Sequence, residues 1–203
     1  MAVIFPTKGN LIATKKTLKL ARLGYDLLDK KRNIIIREMM LLMDKAKSLH
    51  GEIEETYDKA YKALQRANIT LGVCENIANS VQIENGVQIT YRSVMGVDIP
   101  QVSMESTISE PNYGIYETNS QFDIAFFSFN KAKDLTVILA EVENSVYRLA
   151  DAIKKTGRRA NALKNINIPR FEAASKFITN ALEEKEREEF SRLKVIRHHQ
   201  KSE

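Results

Sequence analysis

Between Lys8 and Glu75 apolar residues recur in alternating steps of three and four. One seam reads Leu11, Leu18, Tyr25, Arg32, Met39, Ala46, Ile53, Ala60 and Ala67. The other reads Thr14, Ala21, Leu28, Ile35, Leu42, Leu49, Thr56, Ala63 and Thr70. Fourteen of these eighteen positions are apolar, against 43% for the whole chain. A period of 3.5 residues held over this length predicts a helix that coils around a partner helix. The stretch holds no proline, and its glycines are Gly9, Gly24, Gly51 and Gly72. At about 1.5 Å per residue, the helix would be on the order of 100 Å long, far beyond the usual globular helix.

The same period returns later at Leu135, Ile138, Val142, Val146, Leu149, Ile153, Thr156, Ala160 and Leu163. The two consecutive steps of four around Val146 read as a stutter. Phe171, Ala174, Ile178, Leu182, Phe190 and Leu193 resume a weaker stripe, so Pro169 is expected to kink the helix rather than end it. Between the helices the pattern changes to alternation. Val87, Ile89 and Tyr91 point one way, Gln88, Thr90 and Arg92 the other, and Val97 and Ile99 form a second short run. This predicts a β-hairpin with its turn near Ser93-Val94, although Asn85-Gly86 is the stronger local turn signal. The residues from Ser103 to Gln121 read as loop, broken by Pro111 and Gly114.

The expected fold is therefore mainly α: a long antiparallel two-helix coiled coil with a short β-hairpin and loop in the middle. One elongated unit, 1–203, would comprise a helix over 8–78, a hairpin and loop region over 81–121, and a helix over 122–200 kinked near Pro169. Its core would be Leu11, Leu18, Leu28, Ile35, Leu42, Leu49, Ile53, Leu149, Ile153 and Leu163. Both chain ends would meet at one tip, with Leu11 near Phe190 and Ile35 near Leu163.

Composition narrows the function. The single cysteine, Cys74, excludes an intrachain disulfide and reads as a buried thiol. No stretch approaches the roughly 20 apolar residues of a membrane helix, and the apolar start before Pro6 is too short for a signal-peptide core. Membrane association would come only through partners. His50 and the pair His198-His199 have no metal-ligand spacing, and the pair reads as a disordered tail. No glycine-rich phosphate loop is present. The carboxylates from Glu183 to Glu189 pair at helical spacing with bases, Glu183 with Arg187, Lys185 with Glu189 and Glu188 with Arg192, which describes a solvated face. No catalytic group, cofactor site or metal site emerges.

The basic stretch KKTGRRANALKNINIP, Lys154 to Pro169, is the open question. Seven bases and one acid, Asp151, lie between Arg148 and Arg170, whereas the net charge of the chain is only +5. Nucleic-acid binding usually adds stacking aromatics, and none lies between Tyr147 and Phe171. A positive collar meeting an acidic protein surface accounts for the same residues, and so does a solvated face without a partner.

Three stretches carry a resemblance. FPTKGNLIATKKTLKLARLGYDLLDKKR at Phe5–Arg32, KTGRRANALKNINIP, and LEEKEREEFSRLKVIR at Leu182–Arg197 are similar, in order, to segments of the D-subunit family of V-type and A-type rotary ATPases. SVMGVDIP at Ser93–Pro100 resembles its hairpin segment. The resemblance implies a non-catalytic central-stalk rotor. The joined chain ends would insert into a hexamer of A and B subunits, the middle would hold the small F subunit, and the far end would rest on the funnel-shaped C (or d) subunit over a proton- or sodium-carrying ring. The complex would couple ATP synthesis or hydrolysis to ion transport, with this chain peripheral on the cytoplasmic side. Lys155, Arg158, Arg159, Arg192 and Lys194 would touch the hexamer, by charged contacts rather than a large apolar patch. The competing reading is a free-standing coiled-coil scaffold or a nucleic-acid-associated helical protein.

Overall fold

The computed structural model describes residues 5–81, 83, 85–104, 113, 114, 116 and 118–200, with side chains as far as Arg197. The elements are α1 (Lys8–Leu71), α2 (Glu75–Asn79), β1 (Val87–Val94), β2 (Val97–Met104), α3 (Ser120–Ala162), a π-helical turn (Leu163–Asn167) and α4 (Ile168–Gln200). The fold is mainly α, with long N- and C-terminal helices packed on each other and a two-stranded antiparallel hairpin in the middle of the chain. Two compact units form: Met1–Asn33 with Lys154–Glu203, and Ile34–Ile153.

α1 begins at a capped end, where the Asn10 N–H donates to the Thr7 hydroxyl at 3.2 Å. It ends at Leu71 rather than near 78. Gly72 takes φ +82°, the left-handed C-cap conformation that glycine adopts without strain, and its N–H closes on the Asn68 carbonyl at 3.0 Å. Of the eighteen seam positions on α1, seventeen are buried or half-buried and only Thr70 is exposed. α4 runs through His198-His199, so the backbone of that pair is helical, not an unstructured tail.

In the first unit the buried residues are few and mostly small: Ala21, Thr156, Ala160 and Ile178. Lys8 reaches Glu186 at 3.2 Å and Arg22 reaches Glu172 at 2.6 Å. A Cβ built on Gly24 would lie 3.8 Å from Leu163 Cδ1. These contacts correct the expected register. Leu163 packs at Gly24 rather than Ile35, and Phe190, expected to face Leu11, is 71% exposed. The shift at Leu163 is eleven residues, from Ile35 to Gly24, and the period of each helix does not state which turns of the two meet. The π turn falls just before Pro169. Proline lacks an N–H and its ring crowds the carbonyl four residues back, and a widened turn relieves both problems.

The second unit is built from α1 beyond Ile34, α3 up to Ile153 and the elements between them. Ala60, Ala63 and Ala67 are buried along α1. One apolar cluster joins Ala67, Cys74, Tyr113, Phe122 and Phe126. Cys74 is the buried thiol expected. Asn119 caps α3 by accepting from the Phe122 N–H at 3.0 Å. A second cluster joins Ile35 of α1, Ile99 of β2 and Leu149 of α3, flanked by Met39, Leu42, Val94, Val97 and Ile153. The hairpin turns at Met95-Gly96, not at Ser93-Val94. Both residues have positive φ, 51° and 71°, and Val94 pairs with Val97. Positive φ at both central positions is the geometry that matches the right-handed twist of the flanking strands. Asn85-Gly86, the stronger local signal, instead precedes β1.

Candidate interaction surfaces

In the first unit, Thr156 and Ala160 turn one stripe of α3 onto the seam, with Leu163 half-buried beside them. That leaves Lys154, Lys155, Arg158, Arg159 and Lys164 exposed. Lys164 Nζ lies 5.6 Å from the centre of the Tyr25 ring, a cation–π contact back onto α1. Arg158 and Arg159 enter no ion pair among the described residues, so their charge faces outward uncompensated. Arg192 and Lys194 are also exposed, and Arg192 meets Glu188 at 3.9 Å. Of the three expected pairs around Glu186, only this one closes among the described residues. Glu186 itself crosses to Lys8. Such exposed pairs contribute about 0–1 kcal/mol each.

The charged collar is not the whole surface. The same unit exposes Ile12, Leu20, Leu23 and Leu27 on α1, and Ile166, Phe177, Phe190, Leu193, Val195 and Ile196 along the π turn and α4. These apolar positions stand beside the charged ones that the sequence singled out. A signal existed in the sequence: Leu20 and Leu27 are seven apart, like the core seam but on another face.

In the second unit, the outer edge of β2 is closed by α3. The Val102 N–H donates to Glu141 Oε2 at 2.8 Å, and Arg148 donates to the Asp98 carbonyl at 3.0 Å. The Ser145 hydroxyl is 3.4 Å from the Pro100 carbonyl. Arg148 also sits 5.3 Å over the Tyr91 ring. Val87, Ile89 and Tyr91 share a face with Pro100 and Val102, and this face and α3 enclose a groove of about 320 Å³ lined also by Val137, Ala140 and Asn144. His50 lies 3.2 Å from Glu143 on the surface. Among the described residues there is no His, Cys, Asp or Glu cluster suited to a metal ion, and no helix long and apolar enough to cross a membrane.

The family model for the D subunit of ATP synthase matches residues 10–198. The chain belongs to the ATP synthase D-subunit family. It is 44% identical over 196 residues to the D subunit of a V-type ATP synthase from Thermotoga neapolitana, a match covering 96% of this chain and 97% of that one. The A-type D subunit of Thermococcus kodakarensis is 40% identical over 197 residues, covering 95% and 92%. That of Pyrococcus horikoshii is 38% identical over 199 residues, covering 96% and 93%. The family assignment makes the chain part of a V/A-type ATP synthase complex.

Proposed function

We propose that the chain is the non-catalytic central shaft of a V/A-type rotary ATPase, carrying torque between an A/B catalytic hexamer and an ion-carrying membrane ring. The observation that carries this reading is the burial of seventeen of eighteen seam positions on α1 within a single chain. A free-standing scaffold would leave such a seam open for a second molecule. Here the helices satisfy each other, leaving the outer faces for neighbours that come and go. The hexamer would meet the collar at Lys155, Arg158 and Arg159 and the end of α4 at Arg192 and Lys194. The small F subunit would bind along the chain, and the funnel-shaped subunit beneath it would link it to the ring, so that the shaft meets the membrane only indirectly, on its cytoplasmic side.

Surface charges that break and remake contacts at each step suit a turning part, because they steer association without demanding a large buried area. The test is a tagged pull-down from native membranes in mild detergent, made with the natural chain and with Arg158→Glu/Arg159→Glu. The natural chain is expected to recover A, B and F type subunits with nucleotide hydrolysis in the eluate. The double reversal is expected to weaken hexamer binding about tenfold, equivalent to roughly 1.4 kcal/mol. Unchanged binding and turnover in the variant would remove the collar from the mechanism. Recovery of nucleic acid or of this chain alone would overturn the shaft reading itself.

A further inference from the structure

The two edges of the hairpin are treated differently by the fold. With a two-residue turn closing on Val94 and Val97, the hydrogen-bonded pairs are Val94–Val97, Arg92–Ile99, Thr90–Gln101 and Gln88–Ser103. The alternate residues therefore direct their backbone groups away from the ladder. On β2 these are Asp98, Pro100, Val102 and Met104, and α3 reaches the first three. Arg148 takes the Asp98 carbonyl, Pro100 has no N–H, Ser145 approaches its carbonyl, and Glu141 accepts from the Val102 N–H. On β1 the outward residues are Val87, Ile89, Tyr91 and Ser93. No hydrogen bond among the described residues reaches their N–H or C=O groups. The strand also lacks the usual guards of an edge, having no proline, no lysine and no bulge. Its one charge, Arg92, is turned aside to Glu38 at 3.2 Å. The side chains of Val87, Ile89 and Tyr91 are 45%, 58% and 61% exposed on one face.

We infer that the free edge of β1 is a strand-addition site, occupied in the assembled complex by an extended segment of another subunit. A row of unpaired backbone donors and acceptors recognises extended backbone above all, and the alternate apolar side chains select the partner's face. The two charged groups of the neighbouring groove, Glu141 and Arg148, are already committed to the β2 edge. The added strand is therefore neutral, with apolar side chains at every second position continuing the face of Val87, Ile89 and Tyr91. The inference rests on the reading of the chain as part of a rotary complex, because that complex supplies the strand.

Residue-resolved hydrogen exchange of the full chain, alone and in the purified complex, tests it. In the isolated chain the N–H groups of Gln88, Thr90 and Arg92 are protected by the ladder, while those of Ile89, Tyr91 and Ser93 exchange freely. In the complex, the second set is expected to slow by about tenfold or more, an alternating signature that mere covering of a face does not produce. Ile89→Pro removes one outward N–H without touching the ladder, and is expected to leave the helix content of the isolated chain intact while abolishing the protection of Tyr91 in the complex. Rapid exchange at Ile89 and Tyr91 in a complex that contains the other subunits overturns the inference and leaves the shaft reading standing. Failure to recover any such subunit overturns the shaft reading first. Protection already present in the dilute isolated chain means that the chain covers its own edge, and protection that grows with its concentration means that a second copy does. Either result overturns the inference.

Discussion

Where the two ends of the chain pack together, the buried residues among those described are few and mostly small: Ala21, Thr156 and Ala160, with Ile178 the one large side chain fully withdrawn from solvent. In Ile34–Ile153 the same two helices also grip other elements. Ile35, Ile99 and Leu149 lock the hairpin between α1 and α3, and Tyr113 is stacked edge-on against Phe122 and Phe126 at 4.9 and 5.4 Å. The first unit is a line of contacts with much of its apolar surface exposed. The second is a small core in three dimensions. A residue in a line has partners on one side only and its surroundings can close up after a truncation, whereas a residue between three elements leaves a hole that cannot collapse.

Truncation of the large buried side chains breaks this comparison most directly. Leu149→Ala is expected to cost about 3–4 kcal/mol and to loosen the hairpin, while Ile178→Ala costs about 2 kcal/mol and leaves the hairpin untouched. Urea unfolding followed by circular dichroism gives the totals, and hydrogen exchange assigns them to the two units. Equal losses at both positions would show that the helix pair, and not the added elements, sets the stability of the second unit.

A smaller effect concerns the loop. The Tyr113 hydroxyl donates to Asp123 Oδ1 at 2.7 Å. Burial, then this hydrogen bond and the Asp123 charge, push the phenol well above its ordinary value. The folded state therefore holds Tyr113 neutral where the unfolded chain would ionise. That contribution is fully present below the unfolded value of about 10 and is lost as pH rises from there towards the folded value. Tyr113→Phe is expected to cost about 1–2 kcal/mol at neutral pH and to flatten the decline in stability above pH of about 10. A tyrosinate absorbance titration should show one phenol fewer titrating late in the variant. An unchanged titration would mean that the bond to Asp123 does not hold in solution.

The helices, their pairing and the presence of a hairpin were all legible in the sequence, because each is announced by a local period: 3.5 for the seams, 2 for Val87, Ile89 and Tyr91. What needed the structure was what periodicity cannot encode. The register was misplaced because the period of each helix does not say which of its turns meet. The turn moved to Met95-Gly96 because a methionine at positive φ carries no local signal, while Asn85-Gly86 does. The exposed candidate surfaces were legible only where charge marked them. Charge density marked the collar, but Leu20 and Leu27 were overlooked once a single seam explained the helix. The capping of β2 by Glu141, Ser145 and Arg148 joins residues 39 to 50 positions apart and leaves no trace in either segment.

The smallest effects sharpen the comparison from the side of the first unit. Gly24 and Gly157 both lie inside helices with ordinary backbone conformations. A Cβ on Gly24 makes only van der Waals contact with Leu163, and one on Gly157 meets nothing within 4 Å. Gly24→Ala and Gly157→Ala are each expected to stabilise the isolated chain by about 0.5–1 kcal/mol, by restricting the unfolded state. Gly72→Ala, at φ +82°, is expected to do the reverse by a similar amount. The informative readout is then the complex. If the two stabilised variants bind the hexamer as well as the natural chain, these glycines are neutral gaps in a line of contacts. If binding falls while stability rises, the line is left thin at these points for a neighbour's backbone to approach, and the sparse packing of the first unit is a property of its outer face as much as of its seam. No change or a loss in stability for Gly24→Ala would instead mean that the seam at Leu163 is tighter than 3.8 Å of clearance implies.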